Sequence, residues 1–165
     1  ILRRDGALIR KIELTIDKGK QAEQNLTALR NIVHAELVKE TREREKTVLT
    51  VRLNKIESLL NELHVRNSKS QREFRSFMHK VSVGEIRSES HAHRILEDLY
   101  TSYTLEVDAV LNRVENVLVD AVSFLKSVVR NASHLLGDLV RLKLGFLTGL
   151  FSPGRRRLSP FRFMG

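Results

Sequence analysis

Residues 95–129 read ILEDLYTSYTLEVDAVLNRVENVLVDAVSFLKSVV, and the spacing within them decides the fold. Leu96, Tyr100, Tyr103, Val107, Val110, Val114, Val117, Ala121, Phe124 and Val128 recur at alternating steps of three and four. That period belongs to one face of an α-helix. Leu111, Leu118 and Leu125 form a second apolar line beside the first. Two adjacent lines make a face wider than a two-stranded seam, so more than one neighbouring helix is needed to cover it.

The rest of the chain is helical in the same sense. Only two prolines and eight glycines occur in 165 residues, which starves the chain of the turn residues that a sandwich or barrel needs. Upstream, Ile9, Ile12, Ile16, Leu26, Val33 and Leu37 trace a thinner stripe interrupted by Gly19, Glu23 and Arg30. Leu49, Leu53, Ile56, Leu60 and Leu63 resume it in a different phase after a span without apolar residues, Lys39 to Thr47. The phase change predicts a break or bend near residues 41–47. Asn67-Ser68-Lys69-Ser70 reads as a helix end and a new cap, giving a second break near 65–71. Ser82-Val83-Gly84-Glu85 has the spacing of a capping box and places the main reversal at 82–86. Asn131-Ala132-Ser133 offers a third break, at 131–133.

These readings give an all-α fold of long antiparallel amphipathic helices with coiled-coil-like packing, either a helical hairpin or a bundle of four to five helices. Residues 1–151 form one domain. Residues 152–165 form a basic, aromatic tail with no core of its own.

Charge is unevenly spread. The net value is +9, but residues 1–84 hold 18 Lys/Arg against 11 Asp/Glu, residues 85–151 hold 7 against 9, and the last fourteen hold four Arg and no acid. A basic first half facing a slightly acidic second half uses part of the excess to steer helix pairing. Arg66, Lys69, Arg72, Arg75 and Lys80, interleaved with Phe74 and Phe77, resemble a phosphate-binding stripe with stacking rings. Those rings also follow helical core spacing, which argues against nucleic acid as a partner.

No catalytic or metal motif stands out. Cysteine is absent, which excludes disulfides and Cys-ligated zinc. Glu89, His93 and Glu97 share a helix face, but without an HExxH-type spacing the trio reads as a solvated surface. His91 falls on nearly the opposite helix face from His93; His34, His64, His79 and His134 stand singly, and Glu106, Asp108, Glu115 and Asp120 fall off the apolar register. We therefore read no catalytic residues, no metal, no cofactor and no small-molecule substrate.

The expectation is a non-enzymatic interaction or structural protein. Its self-association face would be Leu96, Tyr100, Tyr103, Val107, Val110, Leu111, Val114, Val117, Leu118, Phe124, Leu125 and Val128, with a second copy or another helical protein as partner. The alternative is an anionic lipid surface engaged by residues 135–157, through Leu139, Leu142, Phe146, Leu150, Phe151, Arg155, Arg156 and Arg157. Gly145 and Gly149 there would permit close backbone approach. Asn25-Leu26-Thr27 and Asn131-Ala132-Ser133 make Asn25 and Asn131 candidate glycosylation acceptors. They tilt an otherwise open localisation slightly toward secretion, while a start at Ile1 rather than Met fits a processed mature form and a trimmed chain equally.

Overall fold

The computed structural model describes residues 2–128, which form three helices: α1 (Gly6–Lys39), α2 (Glu43–Ser82) and α3 (Glu89–Val128). At 1.5 Å per residue, their 34, 40 and 40 residues make rods of about 50 to 60 Å. Short reversals send the chain up, down and up, so α1 and α3 run parallel and α2 lies antiparallel to both. The all-helical class holds. Among the described residues there are three helices where the sequence suggested four or five.

The breadth of the α3 face explains the arrangement. Leu96, Tyr103, Val107, Val110, Leu111, Val114, Leu118, Ala121 and Leu125 are all buried, while Tyr100, Val117 and Phe124 pack partly covered against them. Both predicted lines are thus inside, one neighbour being insufficient for them. α1 brings Ala22, Leu26, Leu29 and Val33 and α2 brings Leu49, Leu53, Ile56, Leu59 and Leu63 to the larger core.

The two reversals have different origins. Residues 40–42 separate α1 from α2 inside the uncharged-poor span, where no apolar side chain holds the helix to the core. The Glu40 carboxylate closes this turn: Oε1 accepts from the Thr41 and Arg42 backbone N–H groups at 3.1 and 3.0 Å, and from Arg42 Nε at 2.8 Å. Those bonds hold its carboxyl down at about 2. Glu43 and Glu45 then sit in the first turn of α2, favourable beside the positive end of the helix dipole.

The main reversal lies where the sequence placed it but is built differently. Gly84 adopts φ +81°, and Glu85 N–H donates to Lys80 O at 2.9 Å while Gly84 N–H donates to Val81 O at 3.2 Å. This is a Schellman ending, which needs a residue without Cβ strain in the left-handed region. Ser82 caps nothing at α3. Its hydroxyl donates backward to His79 O at 2.8 Å, and Ser88 accepts from His91 N–H at 3.3 Å instead. The Ser82–Glu85 capping box is therefore corrected to Ser88.

The predicted break at 65–71 is also corrected, because α2 runs through it. Asn67 and Ser70 face inward, each about 5% exposed. Asn67 Nδ2 donates to Gly19 O at 2.8 Å and to Glu23 Oε1 at 3.0 Å, so the amide spends its capping capacity on α1 rather than on its own helix. Gly19 admits it: a Cβ there would collide with Asn67 Oδ1. Gly19, which interrupts the apolar stripe in the sequence, is buried at a helix contact.

This polar layer divides the interior. On one side lies the large core. On the other, Ile12, Phe77, Ile86, Ala92, Leu96 and Tyr103 form a smaller one, flanked by Leu8, Ile9, Phe74 and Tyr100. Lys18 and Asp108 face one another at the same level, where burial pushes the ammonium down and the carboxyl up while each charge partly restores the other.

Two outcomes follow for stability, both readable by urea denaturation. Leu111→Ala should cost about 2–5 kcal/mol as a cavity in the large core, whereas Leu105→Ala, at a residue 68% exposed, should stay within about 0.5 kcal/mol. Gly19→Ala should lose about 1–2 kcal/mol by displacing the Asn67 amide, despite its gain in helix propensity. In an Asn67→Ala background the same change should become stabilising by about 1 kcal/mol, since only the propensity remains. Additive effects of the two substitutions would refute the contact.

Candidate functional site

The residues read as a self-association face are used within the chain. Leu96, Tyr103, Val107, Val110, Leu111, Val114, Leu118 and Leu125 form the wall against which α1 and α2 close, with Tyr100, Val117 and Phe124 at its margins. The α1 and α2 stripes visible in the sequence are thinner than the face they cover. They suffice because α2 continues to Ser82, adding Phe74, Phe77, Met78 and Val81, and because Ala22 and Leu29 join the α1 stripe. Large apolar side chains still exposed, Leu14, Val38, Val51, Val65, Val83 and Leu105, are distributed singly along the three helices.

The remaining contact residues, Leu139, Leu142, Phe146, Leu150, Phe151, Arg155, Arg156 and Arg157, lie outside the described residues, as does Asn131. Asn25 lies within them and is 2% exposed, packed among α1 core residues, so the folded bundle leaves no room for a glycan on it. Thr27 of the same sequon donates its hydroxyl to Glu23 O at 2.8 Å.

Electrostatic matching between helices is realised in specific pairs. Arg52 donates from Nη2 to Asp120 Oδ1 at 3.2 Å and pairs its charge with Oδ2 3.1 Å from Nε, while its guanidinium lies 4.1 Å from the centre of the Phe124 ring. Arg113 of α3 reaches Glu62 of α2 with both terminal nitrogens. The two pairs run in opposite senses, α2 supplying the cation to Asp120 and α3 the cation to Glu62, and both lie on the large-core side of the polar layer. On α2 beyond Asn67, Arg72, Arg75 and Lys80 are exposed and in no ion pair among the described residues. Phe77 is buried and Phe74 packs against the small core, so neither ring is presented for stacking on a base.

Two clefts gather polar groups. One, of about 500 Å³, lies between α1 and α2 and is lined by Lys20, Glu23, Gln24, Asn31, His64 and Gln71 among others. His64 Nδ1 sits 2.8 Å from Glu23 Oε2, and Asn67 occupies the other oxygen. Both oxygens are engaged, which fixes Glu23 as part of the helix contact. The other cleft, of about 600 Å³, is lined by Arg4, Asp5, Ser88, Glu89, Ser90 and His93 where the first turns of α1 and α3 meet.

That second cleft revises the sequence reading of Glu89, His93 and Glu97. His93 and Glu97 do come together, but the third partner is Asp5, 88 residues away in sequence, with Oδ1 2.6 Å from His93 Nδ1. Neither Asp5–His93 nor Glu23–His64 carries a local signal, since each joins residues on separate helices. Among the described residues no group of three or more His, Asp or Glu is arranged to hold a metal ion. Glu106, Asp108, Glu115 and Asp120 spread along α3 without converging on one cleft.

Comparison with known proteins adds no relative: no family model, no curated protein and no solved structure matches this chain.

Proposed function

We propose that this chain is a non-enzymatic helical interaction protein in which the three-helix bundle is the folded body and residues 135–157 make the contact, with an anionic lipid surface as the partner. The observation that carries this reading is the internal use of the α3 face. Once Leu96 through Leu125 are committed to the chain's own core, the described surface offers apolar side chains only as scattered singles. The sequence then holds one further apolar run, Leu135, Leu136, Leu139, Val140, Leu142, Leu144, Phe146, Leu147, Leu150 and Phe151, followed directly by Arg155, Arg156 and Arg157. An apolar stretch broken by Asp138, Arg141 and Lys143 and ending in three arginines suits the boundary between acyl chains and anionic headgroups. Among the described residues no helix is long and apolar enough to cross a membrane.

Self-association is the second reading, favoured by Gly145 and Gly149, whose spacing lets two backbones approach closely. It moves from the α3 face to residues 135–151, the apolar run that contains both glycines.

Co-sedimentation of the full chain with vesicles tests the proposal. Binding should require anionic lipid, weaken with salt, and fall on the order of a hundredfold when Arg155, Arg156 and Arg157 are replaced together by Ala, at about 1 kcal/mol per charge. Pelleting that ignores lipid charge, salt and the triple substitution would reject it. Sedimentation equilibrium without lipid separates the second reading: a monomer throughout the micromolar range removes self-association.

A further inference from the structure

In the cleft where α1 and α3 begin, one histidine has a carboxylate on each ring nitrogen. Asp5 Oδ1 lies 2.6 Å from His93 Nδ1, and Glu97 Oε1 contacts Nε2 from one turn further along α3. Carboxylates only accept, so two such contacts demand two N–H donors, and only the imidazolium form carries both. Loss of the proton breaks one contact and removes the positive charge from the other.

The two carboxylates are not equivalent. Glu97 is in solvent, its side chain 59% exposed, whereas that of Asp5 is 3% exposed, so His93 is what neutralises a buried charge. Asp5 is also the residue that opens α1. Aspartate there would ordinarily cap the helix, yet its side chain makes no capping bond, α1 begins with Gly6, and its first turn holds no acid. The start of α1 therefore depends on the reach of Asp5 to α3 rather than on its own cap. Leu8, Ile9 and Ile12, just inside it, are the α1 share of the small core against Phe77, Leu96 and Tyr103.

We infer that Asp5, His93 and Glu97 form a proton-operated clamp, which fastens the first two turns of α1 to α3 while His93 is charged and lets them part when the proton leaves. The groups around the ring are Arg4 and Asp5 from α1 and its lead-in, and Ser88, Glu89, Ser90 and Glu97 from α3 and its cap; α2 lines no part of the cleft. The pKa of His93 is raised from its ordinary value, chiefly by the hydrogen bond it donates to Asp5, with the charges of Glu97 and Asp5 adding to it against desolvation. A raised folded value means that the stabilisation is complete below the unfolded value of about 6.5 and is lost as pH climbs through the higher folded one. The clamp accordingly opens toward alkaline pH. The large core, on the far side of the Gly19–Asn67 layer, holds the rest of the bundle together when it does.

Hydrogen exchange of the full chain, corrected for intrinsic rates and followed from about pH 5.5 to about pH 8.5, reads this directly. Protection of the amides in residues 9–13 should fall about three- to tenfold across that window, as suits a half-exposed ion pair, while residues 26–33 stay constant. His93→Gln, which keeps one donor but has no proton to lose, should flatten the dependence. Glu97→Gln, at an exposed position that leaves the fold intact, should move the loss to lower pH. Constant protection of residues 9–13 in the unmodified chain, or the same loss in His93→Gln, would overturn the inference.

Discussion

A helix face too broad for one neighbour is the constraint from which the rest of this bundle follows. Two adjacent lines of apolar side chains on α3 cannot be covered by a single rod, because a helix pair buries a strip and leaves the flank wet. Covering both lines takes α1 on one side and α2 on the other, and the connections that deliver them must be short. Residues 40–42 and the Gly84 reversal supply those connections by different means, one through a carboxylate that gathers four donors and one through a left-handed glycine. Loss of the α3 face would leave the α1 and α2 stripes with too little apolar surface to hold each other.

Apolar coverage does not fix which turn of one helix lies beside which turn of another, since leucines slide past one another at little cost. The polar layer does. Asn67 finds a carbonyl and a carboxylate on α1 only where Gly19 leaves room, and Lys18 meets Asp108 only at that same level. A shift by one turn would strand a buried amide and a partly buried charge pair, each costing more than the leucines regain. The same layer separates a large core from a small one. The end of the bundle that carries Asp5 and His93 therefore rests on fewer apolar contacts, and its electrostatics matter correspondingly more.

The function reading turns on this accounting of surfaces. An amphipathic helix met in isolation invites a partner, and a face as broad as that of α3 invites a second copy. Within the bundle the invitation is answered by the chain itself. Apolar sequence then remains in residues 135–151, next to a concentration of arginine, and that combination of grease and positive charge is the basis of the proposed contact with an anionic lipid surface.

The sequence by itself determined the helical class, the inward face of α3 down to its two lines, the main reversal near Gly84 and the break in the charged span, because each depends on neighbours within a few residues. Helical period, a residue free to adopt positive φ, and an absence of apolar anchors are all local properties. The tertiary structure decided what local reading had no means to see. Asn67 and Ser70 look like a helix terminus until α1 is placed beside them, when their polarity proves to be the contact. Asp5 looks like a cap until His93 arrives from 88 residues away. The covering of the α3 face by α1 and the full length of α2 is of the same kind: burial is a property of three helices together, and no single stripe reveals how much of another it will hide.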